Sequence, residues 1–124
     1  MSLAIFIKSA GANVNKENLK DTLKSIIDNT NEEFKFHLVL EESQKSVLQD
    51  LSIDDHIGSL KTAKEGISWA EDFNLFFDSV KETANWLLYS HDDLKILTRG
   101  WFSKSKEIVG ERTDVGWITY SQPT

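Results

Sequence analysis

Apolar runs of strand length alternate along this chain with segments whose apolar residues recur at helical spacing. Ala4-Ile5-Phe6-Ile7-Lys8-Ser9 reads as a strand, and the small residues Ala10-Gly11-Ala12-Asn13 as the loop after it. Asn15 is placed to cap a helix over about residues 16–29, with Leu19, Leu23, Ile26 and Ile27 on one face. Phe36-His37-Leu38-Val39-Leu40 is nearly continuous in apolar character, as strands covered on both faces are. It ends in Glu41-Glu42-Ser43, where Ser43 is expected to cap a short helix carrying Val47, Leu48 and Leu51. A polar loop begins at Asp54-Asp55, and a short third strand is expected around Ile57–Lys61.

Ser68 with Glu71 forms a capping box ahead of a strong helix. Its expected apolar stripe is Trp69, Phe73, Phe76, Phe77, Val80 and Ala84. Trp86–Ser90 reads as the next strand. A helix over about 98–109 should turn Trp101, Phe102, Ile108 and Val109 inward and end at Gly110. Val115–Tyr120 reads as a last strand. The order β-α-β-α-β-α-β-α-β implies one α/β domain, a mostly parallel open sheet flanked by helices and joined by right-handed crossovers.

Composition narrows the function. The 20 acidic residues outnumber the 14 Lys and Arg, giving a net charge of −6. No basic footprint for nucleic-acid phosphates is present, so no nucleic-acid partner is expected. The absence of cysteine removes disulfides, thiolate zinc sites and cysteine nucleophiles. No apolar run is long enough to span a membrane. A cytoplasmic setting is expected, with room for a full-length protein to sit peripherally on a membrane.

The chemistry-bearing residues stand at strand ends. The run Trp86-Leu87-Leu88-Tyr89-Ser90 delivers His91, Asp92 and Asp93 to its C-terminal end. Ligands of open α/β sheets bind outside the carboxyl ends of the strands. A nucleotide-bound divalent cation can be held there, although adjacent acids after a strand also serve as plain caps. Glu41 and Glu42 are placed to accept hydrogen bonds from a base or ribose, or to remain a solvated strand end. Ser9, Ala10 and Gly11 are small enough for backbone N–H groups to approach a nucleotide, or to form an ordinary turn. Lys8 is expected to be solvated or to meet phosphate. His37, inside an apolar strand, is expected to be structural, and His56 carries no specific signal.

Taken together, these segments resemble the front half of a family 2-type glycosyltransferase with the GT-A fold. Ile5-Phe6-Ile7-Lys8-Ser9-Ala10-Gly11 stands at that family's first strand and loop, with Ala10 where a proline is familiar. Leu38-Val39-Leu40-Glu41-Glu42-Ser43 resembles its valine-rich strand ending Asp-Asp-x-Ser, with Glu in place of Asp. Lys64-Glu65-Gly66-Ile67-Ser68-Trp69-Ala70 resembles its Asn-x-Gly-x-x-x-Ala segment without the asparagine. Leu87-Leu88-Tyr89-Ser90-His91-Asp92-Asp93-Leu94 stands at its DxD-type metal motif, and His91-Asp92-Asp93 is similar to the His-x-Asp variant of some members.

The resemblance implies a nucleotide-sugar-binding domain over residues 1–124. It would use a nucleotide-diphosphate sugar, a UDP-sugar foremost, with Mn²⁺ or Mg²⁺. Asp93 would bind the metal with help from Asp92 or His91, and Ser9, Ala10, Gly11, Glu41 and Glu42 would bind the nucleotide. Transfer, with inversion, would go to a hydroxyl of a glycan, lipid or protein. Members of the family are longer, so truncation after residue 124 is expected. No acid after Asp93 carries a recognisable base motif. Two other readings stay open: a non-catalytic binding module that keeps the fold, and a phosphoacceptor regulatory domain. The last would need an Asp where Glu41 stands and a lysine ending a late strand.

Overall fold

The computed structural model describes residues 3–112. The element order is β1 (Leu3–Ser9), α1 (Lys16–Asn29), β2 (Phe34–Leu40), α2 (Ser46–Leu51), β3 (Ile57–Thr62), α3 (Trp69–Val80), β4 (Trp86–Ser90) and α4 (Trp101–Val109). Short 3-10 turns, Glu42–Gln44 and Asp54–His56, precede α2 and β3. The four strands form one parallel sheet in the order β3-β2-β1-β4. The expected strand Val115–Tyr120 lies outside the described residues.

Alternation along β1 divides the core. Leu3, Ile5 and Ile7 pack on one face with Leu19, Leu23 and Ile26 of α1, Val47 and Leu48 of α2, and Trp101 and Phe102 of α4. Ala4 and Phe6 pack on the other face with Phe76 and Val80 of α3. The Phe6 ring is stacked on Phe76 and set edge-on to Trp69 and Phe73. The chain thus travels β1-β2-β3 with helices on one face, then returns past β1 to β4 with a helix on the other. Right-handed crossovers require this change of face when the direction of travel reverses.

Local signals explain most element ends. Asn15 accepts from the Asn18 backbone N–H, and Ser68 accepts from the Glu71 N–H, so both helices start where their caps stand. Ser43 does not cap α2; it lies in the preceding 3-10 turn and its hydroxyl donates to Glu41. The stripe on α3 is narrower than its composition suggests. Phe76 and Val80 are buried, whereas Trp69 and Phe77 are more than a third exposed and the carboxylate of Asp72 faces inward. On α4 the expectation for Ile108 is corrected: it is exposed, because that helix packs through Trp101, Phe102 and Ser105.

His37 is structural. Its Nδ1 lies 2.9 Å from the Ser59 hydroxyl, and its ring packs against Phe76 at 5.2 Å. The ring fills the space beside Gly58, where a Cβ would come within 2.7 Å of it. Burial holds the His37 imidazole below its ordinary pKa.

At the opposite end of the sheet, Glu32 ties the start of β2 to α4. It accepts from the Ser103 hydroxyl and pairs with Lys106 at 3.3 Å, while Lys106 also lies over the Phe102 ring. Burial pushes the Glu32 carboxyl up, but hydrogen bonds from Ser103, Lys106 and its own backbone, with the Lys106 charge, more than offset this and leave it lowered. A lowered carboxyl stabilises the fold above its unfolded pKa and loses that contribution as pH falls through the folded value. Glu32→Gln should therefore be less stable than the parent at pH 7, and the gap should close as the medium is acidified below about pH 4.5. Urea denaturation across that range checks this, and a gap independent of pH would refute it.

Candidate functional site

The strand register brings the expected residues together. Ser90 is level with Ile7, so two further residues carry Asp92 alongside Ser9. Leu40 is level with Ser9 on the other side, so Glu41 emerges beside the loop that follows β1. The ends of β2, β1 and β4 stand side by side at the C-terminal edge of the sheet, with β1 in the middle. Ligands of open α/β sheets bind beyond the carboxyl ends of the strands.

Hydrogen bonds close the arrangement. The Ser9 hydroxyl donates to Asp92 Oδ2 at 2.6 Å and accepts from Gln44 Nε2 at 3.1 Å. Ser9 and Gln44 are both almost wholly buried, whereas Asp92 is half-buried. The Thr22 hydroxyl on α1 lies 2.8 Å from the Asp92 carbonyl and 2.9 Å from the Asn18 carbonyl, sharing its one proton between them. The Ser90 hydroxyl donates to the His91 carbonyl at 2.8 Å. Asp92 is thus held at its side chain and its backbone, while His91 and Asp93 of the same turn are exposed.

The first loop is organised by Glu41. Its carboxylate accepts from the Gly11 backbone N–H at 3.2 Å and from the Ser43 hydroxyl at 3.1 Å. Gly11 has φ +107°, which favours glycine, and the space where a Cβ would stand is open. Ala10 and Gly11 are exposed. Glu42 is exposed as well, and it pairs with Lys45 at 3.1 Å. Of the two acids after β2, Glu41 alone contacts the first loop.

Lys8 is neither solvated nor open to a ligand. Its Nζ lies 2.6 Å from Asp72 Oδ2 and donates to the Ile67 carbonyl at 3.0 Å. The two side chains are 11% and 9% exposed. The pair fastens the start of α3, and the Gly66-containing segment before it, to the end of β1.

The strand-end convergence brings together Ser9 and Asp92 by direct contact, and Gly11 and Glu41 likewise. Sequence reasoning missed Gln44, Thr22 and Asp72, whose polar side chains lie inside the fold. Their one sequence-level signal was a polar residue within or beside an apolar periodic segment. Among the described residues, no group of three or more His, Asp or Glu side chains stands close enough to hold a metal ion by itself. No helix among them is long and apolar enough to cross a membrane. No protein-family model matches the chain, and no curated protein matches its sequence.

The Lys8–Asp72 pair generates a stability prediction. Removing one partner of a buried ion pair leaves an uncompensated charge and costs roughly 3–5 kcal/mol. Asp72→Ala should lose about that much, whereas Lys8→Met with Asp72→Leu should recover most of it. Guanidinium denaturation of the three proteins measures the difference; equal losses in the single and double variants would show that packing, not charge, dominates.

Proposed function

We propose that this chain is the donor-binding part of a glycosyltransferase, taking a nucleotide-diphosphate sugar, most readily a UDP-sugar, together with Mn²⁺ or Mg²⁺. The observation that supports this reading is that three adjacent strand ends carry their polar residues to one edge of the sheet. One end carries a fixed carboxylate with two exposed metal-type ligands, and another carries a glycine loop within reach of Glu41.

The side chains suit a hard cation bound jointly with a ligand. Mg²⁺ and its like commonly take one or two protein carboxylates, with phosphate oxygens and water completing the shell. Asp93 and Asp92 can supply those carboxylates, with His91 assisting directly or through water. When bound, the ion would act as a Lewis acid that neutralises charge on the departing diphosphate. The chain's own residues do the rest. Ala10 and Gly11 let a nucleotide approach the backbone. Glu41 can leave the Gly11 amide, where its bond is exposed, and accept from a ribose or base. The acceptor would be a hydroxyl of a glycan, lipid or protein, and the resemblance implies inversion at the sugar.

A second reading has a specific observation in its favour. Two polar groups at the end of β1 and in the first loop are already satisfied internally, the Gly11 N–H by Glu41 and the Ser9 hydroxyl by Asp92 and Gln44. A binding module that keeps the fold without turnover needs no more than this.

Calorimetric titration with UDP, with and without Mn²⁺, separates the readings. The donor-site reading expects binding that is strengthened by Mn²⁺, with the Mn²⁺-dependent gain lost in Asp93→Ala. An Asp93→Ala protein with the full Mn²⁺-dependent affinity would remove Asp93 from the metal site. Absence of binding to UDP, GDP and dTDP would favour the module.

A further inference from the structure

We infer that Gln44 and Ser9 are positioning residues for Asp92, acting as a directed hydrogen-bond relay that fixes one carboxylate oxygen and leaves the other for a ligand. The role of Asp92 as a ligand rests on the donor-site reading above; the relay does not.

The direction follows from counting protons. A serine hydroxyl has one proton to give, and a carboxylate oxygen only accepts. The 2.6 Å contact between Ser9 Oγ and Asp92 Oδ2 therefore uses the Ser9 proton. The same hydroxyl oxygen must then receive a proton from Gln44, as the 3.1 Å contact with Nε2 provides. The opposite amide orientation would set the Gln44 carbonyl against Asp92 in competition for a single proton. Gln44 thus selects the rotamer in which the Ser9 hydroxyl faces Asp92.

Burial makes that selection firm. Ser9 is 0% and Gln44 1% exposed, so water cannot substitute for either contact. Gln44 lies in the 3-10 turn directly after Glu41, and its backbone N–H donates to the Glu41 carbonyl at 2.9 Å. The relay therefore links the turn after β2, the end of β1 and the turn after β4, across sequence separations of 35 and 83 residues. The Thr22 contact to the Asp92 carbonyl holds the backbone at the same point. With Oδ2 tied inward and the peptide anchored, the Asp92 carboxylate has one defined orientation at the C-terminal edge of the sheet. A preformed carboxylate loses little freedom when a ligand arrives.

The test uses the whole chain and two variants. Gln44→Met conserves volume and removes the amide; Ser9→Ala removes the hydroxyl and serves as the second variant. The ¹³C-carboxyl resonance of Asp92, recorded without nucleotide or metal, reads the relay itself and should move in both. UDP titrations then read its consequence. The Mn²⁺-dependent gain in affinity should fall about three- to tenfold, the worth of one hydrogen bond. In Gln44→Met, which touches no residue expected to bind the nucleotide, the affinity for UDP without metal should be unchanged. An Asp92 resonance unmoved in either variant that folds would overturn the relay. A moved resonance with equal losses of affinity with and without Mn²⁺ would reduce it to a purely structural contact. If the parent protein shows no Mn²⁺-dependent binding, the donor-site reading fails, and the Asp92 resonance still decides the relay.

Discussion

Handedness acting on a central strand governs this molecule. β1 is flanked by β2 and β4, so the chain cannot visit all its strands while moving in one direction. A right-handed crossover ties the direction of travel to the face that carries the helix. α1 and α2 accordingly share one face with the first strands, and α3 takes the other. At the C-terminal edge the chain leaves β1 for α1 and leaves β4 for α4, and both helices pack on one face. That the ends of β2, β1 and β4 are neighbours is a product of topology, whatever residues they carry. What the sequence decides is the chemistry placed there.

β1 shows how that decision is made within one strand. Its first five residues are apolar and buried, alternating between the two halves of the core. Its last two, Lys8 and Ser9, continue the same alternation but are polar, and neither escapes to solvent. Lys8 falls on the α3 face and meets Asp72; Ser9 falls on the α1 face and meets Asp92 and Gln44. An unpaired buried hydroxyl costs about 1–3 kcal/mol and an unpaired buried charge more. These two positions therefore do more than tolerate their distant partners. They penalise any arrangement that fails to supply them, and so set how α3 and the turn after β4 seat on the sheet.

This division explains which features could be read from the chain alone. The strands and helices were legible because periods of two and of 3.6 residues are local properties. The caps at Asn15 and Ser68 were legible for the same reason, since each acts within three residues. That Ser9, Gly11, Glu41 and Asp92 would gather at one edge also followed, because parallel strands put all their C-terminal ends on one side. The partners that complete the edge did not follow. Gln44 looks like an ordinary residue of a polar turn, and only the packing of that turn against β1 buries it. Thr22 occupies a helix face whose other members are apolar, and the helical period cannot tell that its hydroxyl meets a carbonyl 70 residues away. Ile108 failed in the opposite sense: periodicity marks an apolar face, but a helix covered mainly along its first turns leaves the rest of that face open.

The two halves of the edge also differ in how readily they can change. The contacts around Asp92 are buried or half-buried, and breaking them would strand polar groups away from water. The bond from Gly11 to Glu41 is exposed and longer, at 3.2 Å. An exposed hydrogen bond competes with water on nearly equal terms, so its loss costs little when a ligand offers a replacement. The turn after β4 is therefore the fixed reference, and the loop after β1 is the adaptable wall. A ligand entering between them would find one carboxylate already oriented and one glutamate ready to trade its internal partner for an external one. Discrimination among ligands would then fall mainly to the adaptable side, where Glu41 must recover from the ligand what it gives up at Gly11.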